Sequence, residues 1–108
     1  MTREPGVPIP RIWVDINEWD SAIRSVPIPP LSVRALEAYG LRLREGMVLH
    51  LYSDDLDDQG RRDDLIADGV AHHDASAERW MAVDLGPIRS VSELGDEATA
   101  DHVYLGSA

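Results

Sequence analysis

Aspartates crowd one short stretch of this chain, and carboxylates at that density can bind cations or face positive surfaces. Between Tyr52 and Val70 the sequence places seven aspartates, no glutamate and two arginines, Arg61 and Arg62. The seven are Asp54, Asp55, Asp57, Asp58, Asp63, Asp64 and Asp68. Burying them together would require a partner or a metal ion for each carboxylate. The stretch therefore predicts a solvated loop, a cation site or a surface for a positively charged partner.

One register of this stretch matches part of a calcium loop. An EF-hand loop has oxygen ligands at its first, third, fifth and ninth positions, glycine at the sixth and glutamate at the twelfth. Counted from Asp55, the ligands would be Asp55, Asp57, Gln59 and Asp63, with Gly60 at the sixth position. The twelfth position is Ile66, and Arg61-Arg62 adds positive charge, so calcium binding is the alternative rather than the main expectation. The looser spacing is similar to the calcium loops of thrombospondin type 3 repeats.

Histidines offer a second metal hypothesis. Neighbouring residues of a strand point to opposite faces, so His72 and His73 cannot readily chelate one ion together. One of them could meet His50 across strands and, with an aspartate, form a two-histidine, one-carboxylate set. That set would make the protein a metal-dependent enzyme, which we keep as a second alternative. The simpler interpretation is that these are partly exposed strand histidines.

The sequence lacks the residues and motifs of the other common types of catalytic site. The chain has no cysteine and no lysine, which excludes thiol catalysis, disulfides and Schiff-base chemistry. No nucleophile elbow or glycine-rich phosphate loop is present. Clustered exposed aspartates do not form an acid/base pair without a burying pocket. We therefore predict a protein that is not an enzyme and needs no cofactor, with calcium as a possible ion at the Asp-rich stretch.

The net charge of the chain limits the classes of partner that it is expected to bind. The net charge is −10, and nucleic-acid binding gains its affinity from cations placed on phosphates, so direct nucleic-acid binding is not expected. The same charge suits docking on a basic protein. No apolar run approaches the ~20 residues of a membrane helix, and no secretory signal is evident. A cytoplasmic protein without membrane contact is expected.

Periodicity predicts a β-rich domain. Strands are predicted over 12–16, 47–52, 65–73 with a bulge at Gly69, and 79–85, and turn residues over 74–77. Met47, Leu49 and Leu51 should face the core, as should Met81, Val83 and Leu85. Residues 22–28 should return as a hairpin strand, with a helix over 17–25 as the competing interpretation. A helix over 32–39, capped by Ser32 and ended by Gly40, and one or two helical turns over 88–94 complete the elements.

These elements predict a mainly β, α+β fold. We expect a small, strongly bent antiparallel sheet or an SH3-like barrel of about five strands with one short helix. Residues 1–10 should form an extended proline-rich arm, 11–94 a single domain, and 95–108 a weakly structured tail with a short strand at 102–105. An unpaired edge near 12–16 could join a second copy, so the chain is expected to be a monomer or a homodimer.

The pattern from Leu43-Arg44-Glu45-Gly46-Met47 through the Asp-rich stretch to Trp80 resembles small uncharacterised bacterial proteins. The resemblance covers roughly residues 40–92. It implies no activity.

The favoured hypothesis is a non-catalytic acidic interaction module that docks on a basic protein, in the manner of an immunity protein, an antitoxin or a nucleic-acid mimic. Its electrostatic face would comprise Asp54, Asp55, Asp57, Asp58, Asp63 and Asp64. Trp19 or Tyr52 would serve as the anchor, while Trp13 and Trp80 are expected in the core.

Overall fold

A mixed β-sheet organises the chain in a computed structural model that describes residues 9–56, 58–94 and 102–105. The strands are β1 (Ile9–Trp13), β2 (Val26–Pro27), β3 (Val48–Ser53), β4 (Leu65–Asp74), β5 (Arg79–Val83), β6 (Arg89–Ser90) and β7 (His102–Leu105). The helices are α1 (Pro30–Ala38) and α2 (Val91–Leu94), and a 3-10 helix spans Ile16–Glu18. The mainly β, α+β prediction is confirmed.

The sheet is open and mixed rather than closed and antiparallel. Its order is β2-β5-β4-β3-β1-β7, with β6 alongside β4. β3, β4 and β5 form antiparallel pairs, whereas β1 runs parallel to both β3 and β7. Within the described residues β2 and β7 do not pair, so the prediction of a barrel or an antiparallel sheet is wrong. Parallel neighbours need long crossovers, which α1 and its flanking segments provide between β1 and β3.

β1 is an interior strand, which corrects the expectation of an unpaired edge near 12–16. Ile12 aligns with Leu51 of β3 on one side and with Leu105 of β7 on the other. The strand at 102–105 is confirmed as β7 and pairs with β1. Residues 1–8 of the predicted arm, and 95–101 and 106–108 of the predicted tail, lie outside the described residues.

One face of the sheet, the core face, carries most of the buried apolar side chains. Period-2 alternation places Leu49 and Leu51 of β3 there, as predicted, against Leu36 of α1. Further members of this cluster are Ile12, Val14, Val26, Ile28, Leu43, Ala71, Ala82 and Leu85, and Met47, Trp19, Trp80 and Val33 pack against it. Trp80 is thus half-buried at the core, as expected.

The opposite face, the outer face, holds a smaller cluster near the end of β3. Tyr52 and Ile66 are buried there, with Trp13, Val91 and Tyr104 packed against them. The rings of Tyr52 and Tyr104 meet edge to face at 4.8 Å. Val91 brings α2 over this cluster, and the predicted one or two helical turns over 88–94 are confirmed as a single turn, Val91–Leu94.

The phase of β5 differs from the prediction. Ala82, with no exposed area, faces the core, so Met81 and Val83 do not. Leu85 is nevertheless buried, because Asp84 adopts a φ of 52° and shifts the alternation by one residue. A period-2 pattern assumes extended backbone throughout, so it cannot predict the change of face that a left-handed residue causes after the strand ends.

Residues 17–28 form neither the predicted hairpin with β1 nor the competing helix. Asp15 accepts a hydrogen bond from the Asn17 N–H at 2.9 Å and caps the short 3-10 helix. Asp20 pairs with Ser25 across a tight turn, and its carboxylate accepts the N–H of Ala22. These local aspartate turns end the regular backbone early. The returning chain then pairs with β5 as β2, not with β1.

α1 starts earlier than the capping pattern indicates. Pro29 occupies the N-cap position and Pro30 begins the helix. The first N–H groups of a helix have no partner within the helix, so the missing N–H of Pro30 costs no hydrogen bond. Ser32 is instead buried, and its hydroxyl donates to the Trp13 carbonyl at 2.6 Å, which ties α1 to β1. Gly40, with a φ of 103°, ends the helix as predicted. No helix in the described residues is long and apolar enough to cross a membrane.

Gly69 lies in a continuous ladder, so the predicted bulge is wrong. The β3–β4 register runs without interruption from Val48 opposite Val70 to Ser53 opposite Leu65. A Cβ atom at position 69 would lie 2.7 Å from Cδ2 of Leu85. The glycine is therefore required because Leu85 packs directly on the strand.

We expect Gly69→Ala to lower the free energy of unfolding by about 1–3 kcal/mol, because the methyl group overpacks against Leu85. Gly86→Ala is the matched control, since its Cβ would meet only the Asp68 carbonyl oxygen at 3.8 Å. Urea denaturation of both variants measures the difference. Equal stability of the two would contradict this packing.

Candidate functional site

The Asp-rich stretch forms a hairpin tip between β3 and β4, here called the acidic tip (residues 54–64), of which the structure describes 54–56 and 58–64. The Asp63 N–H donates to the Asp55 carbonyl at 2.9 Å, and Leu56 pairs with Arg62 as an isolated antiparallel bridge. Gly60 has a φ of 78°, which suits the turn at the end of the tip. Asp57 lies outside the described residues. The prediction that this stretch connects two hairpin strands is confirmed.

Asp64 points inward at the base of the acidic tip. Its side chain is 6% exposed, and Nε of Arg62 donates to its two carboxylate oxygens at 2.9 and 3.0 Å. Nη2 of Arg62 lies 2.9 Å from Oδ2 of the same carboxylate. The hydrogen bonds from Arg62 to Asp64 raise the pKa of Arg62 above its usual value. Asp64 is therefore a structural carboxylate that a partner does not reach, which corrects its place in the predicted face.

Asp63 is half-buried and joins the tip to α2. Its carboxylate accepts the Ser92 N–H at 2.9 Å and the Ser92 hydroxyl at 2.7 Å. These two hydrogen bonds, the hydroxyl first, hold the pKa of Asp63 below its usual value. The Val91 N–H donates to the Asp64 carbonyl at 2.9 Å and adds a second tie. The base of the tip is thus fastened to the helical turn that covers the outer face.

The remaining described carboxylates of the tip are exposed, and so is one apolar side chain near them in the sequence. Asp54, Asp55 and Asp58 are exposed, and Leu56 is 62% exposed between them. Asp54 lies 3.9 Å from Nη2 of Arg62 at the side of the tip. An open groove of about 480 Å3 is lined by Asp54, Asp55, Leu56 and Arg62. A partner could bury the exposed leucine, and the nearby carboxylates could attract a positively charged partner toward it.

The predicted calcium ligands do not converge within the described residues. Gln59 Oε1 accepts from Nη2 of Arg61 at 2.7 Å, and Asp63 is bonded to Ser92. No group of three or more histidine, aspartate or glutamate side chains in the described part of the chain could hold a metal ion. A calcium ion would have to take Asp63 and Gln59 from their present partners.

Neither of the two predicted aromatic anchors is a fully exposed side chain. Tyr52 is 1% exposed and packs against Tyr104 on the outer face, so it cannot anchor a partner. Trp19 is half-buried against the core cluster, just after the 3-10 helix. Both fill space that a chain without phenylalanine must fill with larger rings. Leu56 is an exposed apolar residue of the tip that sequence reasoning missed, and its place between aspartates is the signal that could have found it.

The three strand histidines point to separate partners. Nδ1 of His50 lies 2.9 Å from Asp68, and Nδ1 of His72 lies 2.8 Å from Glu45. His73 faces the other side of β4, as predicted, with its ring 5.1 Å from that of Trp80. Among the described residues these histidines therefore do not come together into a shared metal site.

No family model, curated protein or solved structure matches this chain. The resemblance noted over residues 40–92 stays an expectation.

A second polar cluster, on the outer face, was not foreseen. Arg11 of β1 is buried, and its Nη1 donates to the Leu51 carbonyl at 3.3 Å. Arg11, Arg89 and Asp68 together line a pocket on this face of the sheet. An arginine beside Ile12 in an alternating strand normally indicates an exposed face, so only knowledge that β1 is interior could have predicted its burial.

Arg62→Gln should destabilise the protein by roughly 1–3 kcal/mol, because it leaves the buried Asp64 carboxylate without its charged donors. Arg61→Gln, at an exposed neighbouring position, is the control with the same change in charge. Thermal unfolding of both variants at one pH measures the effect. An Arg62→Gln protein as stable as Arg61→Gln would show that the pair does not hold the tip.

Glu45 should shift the titration of His72. Its hydrogen bond to Nδ1 and its charge raise the pKa of His72, while the His73 N–H and then His72 lower the pKa of Glu45. The stabilisation from His72 is complete below its unfolded-state pKa and is lost as pH rises through its folded pKa. The stabilisation from Glu45 is lost as pH falls through its own lowered folded pKa.

An NMR titration should therefore give His72 a pKa above the usual histidine value, and Glu45→Gln should return it toward that value. Glu18→Gln, an exposed change on the 3-10 helix, should leave it unaltered. An unchanged His72 titration in Glu45→Gln would refute the pairing.

Proposed function

We propose that this protein is a non-catalytic interaction module whose acidic tip docks on a basic protein. The observation that carries the proposal is the exposed Leu56, which lines one groove with Asp54 and Asp55 on a hairpin with internal hydrogen bonds. A disordered acidic loop would lose conformational entropy on binding, whereas an ordered tip has already lost part of it. The preordered tip therefore favours docking over a purely solubilising role.

The two kinds of residue have different roles in docking. Exposed carboxylates steer a basic partner and lose influence beyond the Debye length of roughly 8 Å at physiological salt. Leu56 supplies apolar contact, and fully burying such a side chain contributes about 1.5–3 kcal/mol. Affinity should thus depend on Leu56, and association rate on Asp54, Asp55 and Asp58.

The partner is a protein with a basic cleft or patch that also offers an apolar contact for Leu56. Such a patch is typical of nucleic-acid-binding proteins and nucleases, whose phosphate sites an acidic hairpin can occupy. The size and net charge of −10 suit an immunity-protein, antitoxin or nucleic-acid-mimic role. Calcium binding at the tip is not favoured by a specific contact, because Gln59 and Asp63 already have protein partners.

A pull-down at low salt tests the proposal, with the captured protein identified by mass spectrometry and its affinity measured with purified components. Asp55→Asn/Asp58→Asn should slow association, and Leu56→Ser should speed dissociation. Glu18→Gln/Glu37→Gln removes the same charge from the 3-10 helix and α1, and should change neither rate much. Binding that is equally affected by both double variants would reflect net charge alone and would contradict a role for the tip.

A further inference from the structure

A buried arginine with too few partners lies on the outer face of the sheet. The Arg11 side chain is 7% exposed, and its polar contacts among the described residues are an ion pair with Asp68, at 3.8 Å, and a hydrogen bond to the Leu51 carbonyl, at 3.3 Å. Its Nε is enclosed and has no hydrogen-bond partner within the described residues. A guanidinium carries five N–H donors, so most of the hydrogen-bonding capacity of Arg11 is not used by these contacts.

The charge of Arg11 is only partly balanced. Burial lowers its pKa, and the nearby Asp68 opposes that effect. Asp68 is itself 62% exposed and lies closer to His50, at 2.9 Å, than to Arg11. Placing an arginine away from water with one long ion pair is unfavourable unless another anion completes its environment.

A pocket adjoins this arginine. Its volume is about 280 Å3, and it is lined by Arg11, Arg89 and Asp68, with Gly86-Pro87 along one side. β6 places Arg89 opposite Ile66 of β4, and no carboxylate of a described residue lies within ion-pair distance of Arg89. At ~30 Å3 for each water the space holds roughly nine water molecules, which is room for a small ligand.

We propose that this pocket binds a small monocarboxylate, held between the guanidinium groups of Arg11 and Arg89. Guanidinium and carboxylate are both planar and can join through paired hydrogen bonds. Two arginines against Asp68 leave one net positive charge, which matches a monoanion. Inorganic phosphate, with up to two charges at neutral pH, would meet stronger repulsion from Asp68 and from a protein of net charge −10.

The site is separate from the acidic tip and does not rest on the docking proposal. It suggests a binding function in which a metabolite-sized acid occupies the outer face. Gly86 lines the pocket and has no side chain, so a ligand can come close to its backbone. The Gly86 N–H donates to the Asp68 carbonyl and holds this backbone beside β4.

NMR titration of the full chain with butyrate tests the proposal, with butyramide as the neutral isostere and inorganic phosphate as the competing anion. Butyrate should shift the Arg11 Nε–H and the Gly86 amide saturably, and butyramide should not. Arg89→Gln should weaken butyrate binding roughly ten-fold or more, since it removes a charged hydrogen-bond donor. Arg42→Gln, an exposed arginine in the connection from α1 to β3, should leave the affinity unchanged.

Arg11→Met supplies an independent readout. Replacing a poorly paired buried charge by an apolar side chain should keep or raise the melting temperature while abolishing butyrate binding. Shifts that grow linearly without saturation, or that persist in Arg11→Met, would overturn the proposal. Saturable binding of phosphate in preference to butyrate would also overturn it, because the ligand class would then be wrong.

Discussion

The pair between Arg62 and Asp64 is the interaction on which the arrangement of the acidic stretch depends. One carboxylate of the stretch is buried, and the arginine two residues earlier satisfies both of its oxygens. This contact sets which way the hairpin faces. Because Asp64 turns inward and Asp63 bonds to Ser92, the exposed carboxylates of the tip are Asp54, Asp55 and Asp58, and Leu56 is exposed as well. A stretch of apparently equivalent aspartates is thereby divided into structural and exposed members.

β4 connects the two polar regions of the molecule. It begins directly after the acidic tip, pairs with β3, β5 and β6, and carries Asp68 into the pocket beside Arg11. Such a central strand has little freedom to move, which suits residues that must hold charges at defined positions. Gly69, on the same strand, admits Leu85 and so brings the segment that leads to Gly86 and Arg89 close to the sheet.

Local patterns were sufficient for the elements whose partners are neighbours along the chain. The alternation of Leu49 and Leu51 predicted β3, and Gly40 predicted the end of α1, because both signals are contained within a few residues. The parallel pairing of β1 with β3 and β7 has no local signature, so the sheet was predicted to be antiparallel. The burial of Arg11 follows from that pairing and was missed for the same reason.

The candidate site shows the same division. The hairpin connection was predictable from its flanking strands, and the number of aspartates indicated a charged surface. The inward turn of Asp64 was not predictable, since a run of similar aspartates does not show which carboxylate Arg62 will pair with. Nor does it show that the Val91 and Ser92 N–H groups, from a later part of the chain, will bond to the Asp64 carbonyl and the Asp63 carboxylate. Tyr52 was misplaced as an anchor because strand alternation gives a face but not what covers it, and here α2 and Tyr104 cover it.

The order of the acidic tip is the central claim, and heteronuclear 15N relaxation of the free protein tests it most directly. The amides of Leu56, Arg62 and Asp63 should have NOE values and order parameters close to those of β3 and β4. Values in the range of a flexible loop, with order parameters below about 0.6, would contradict a preformed docking surface held by the Arg62–Asp64 pair.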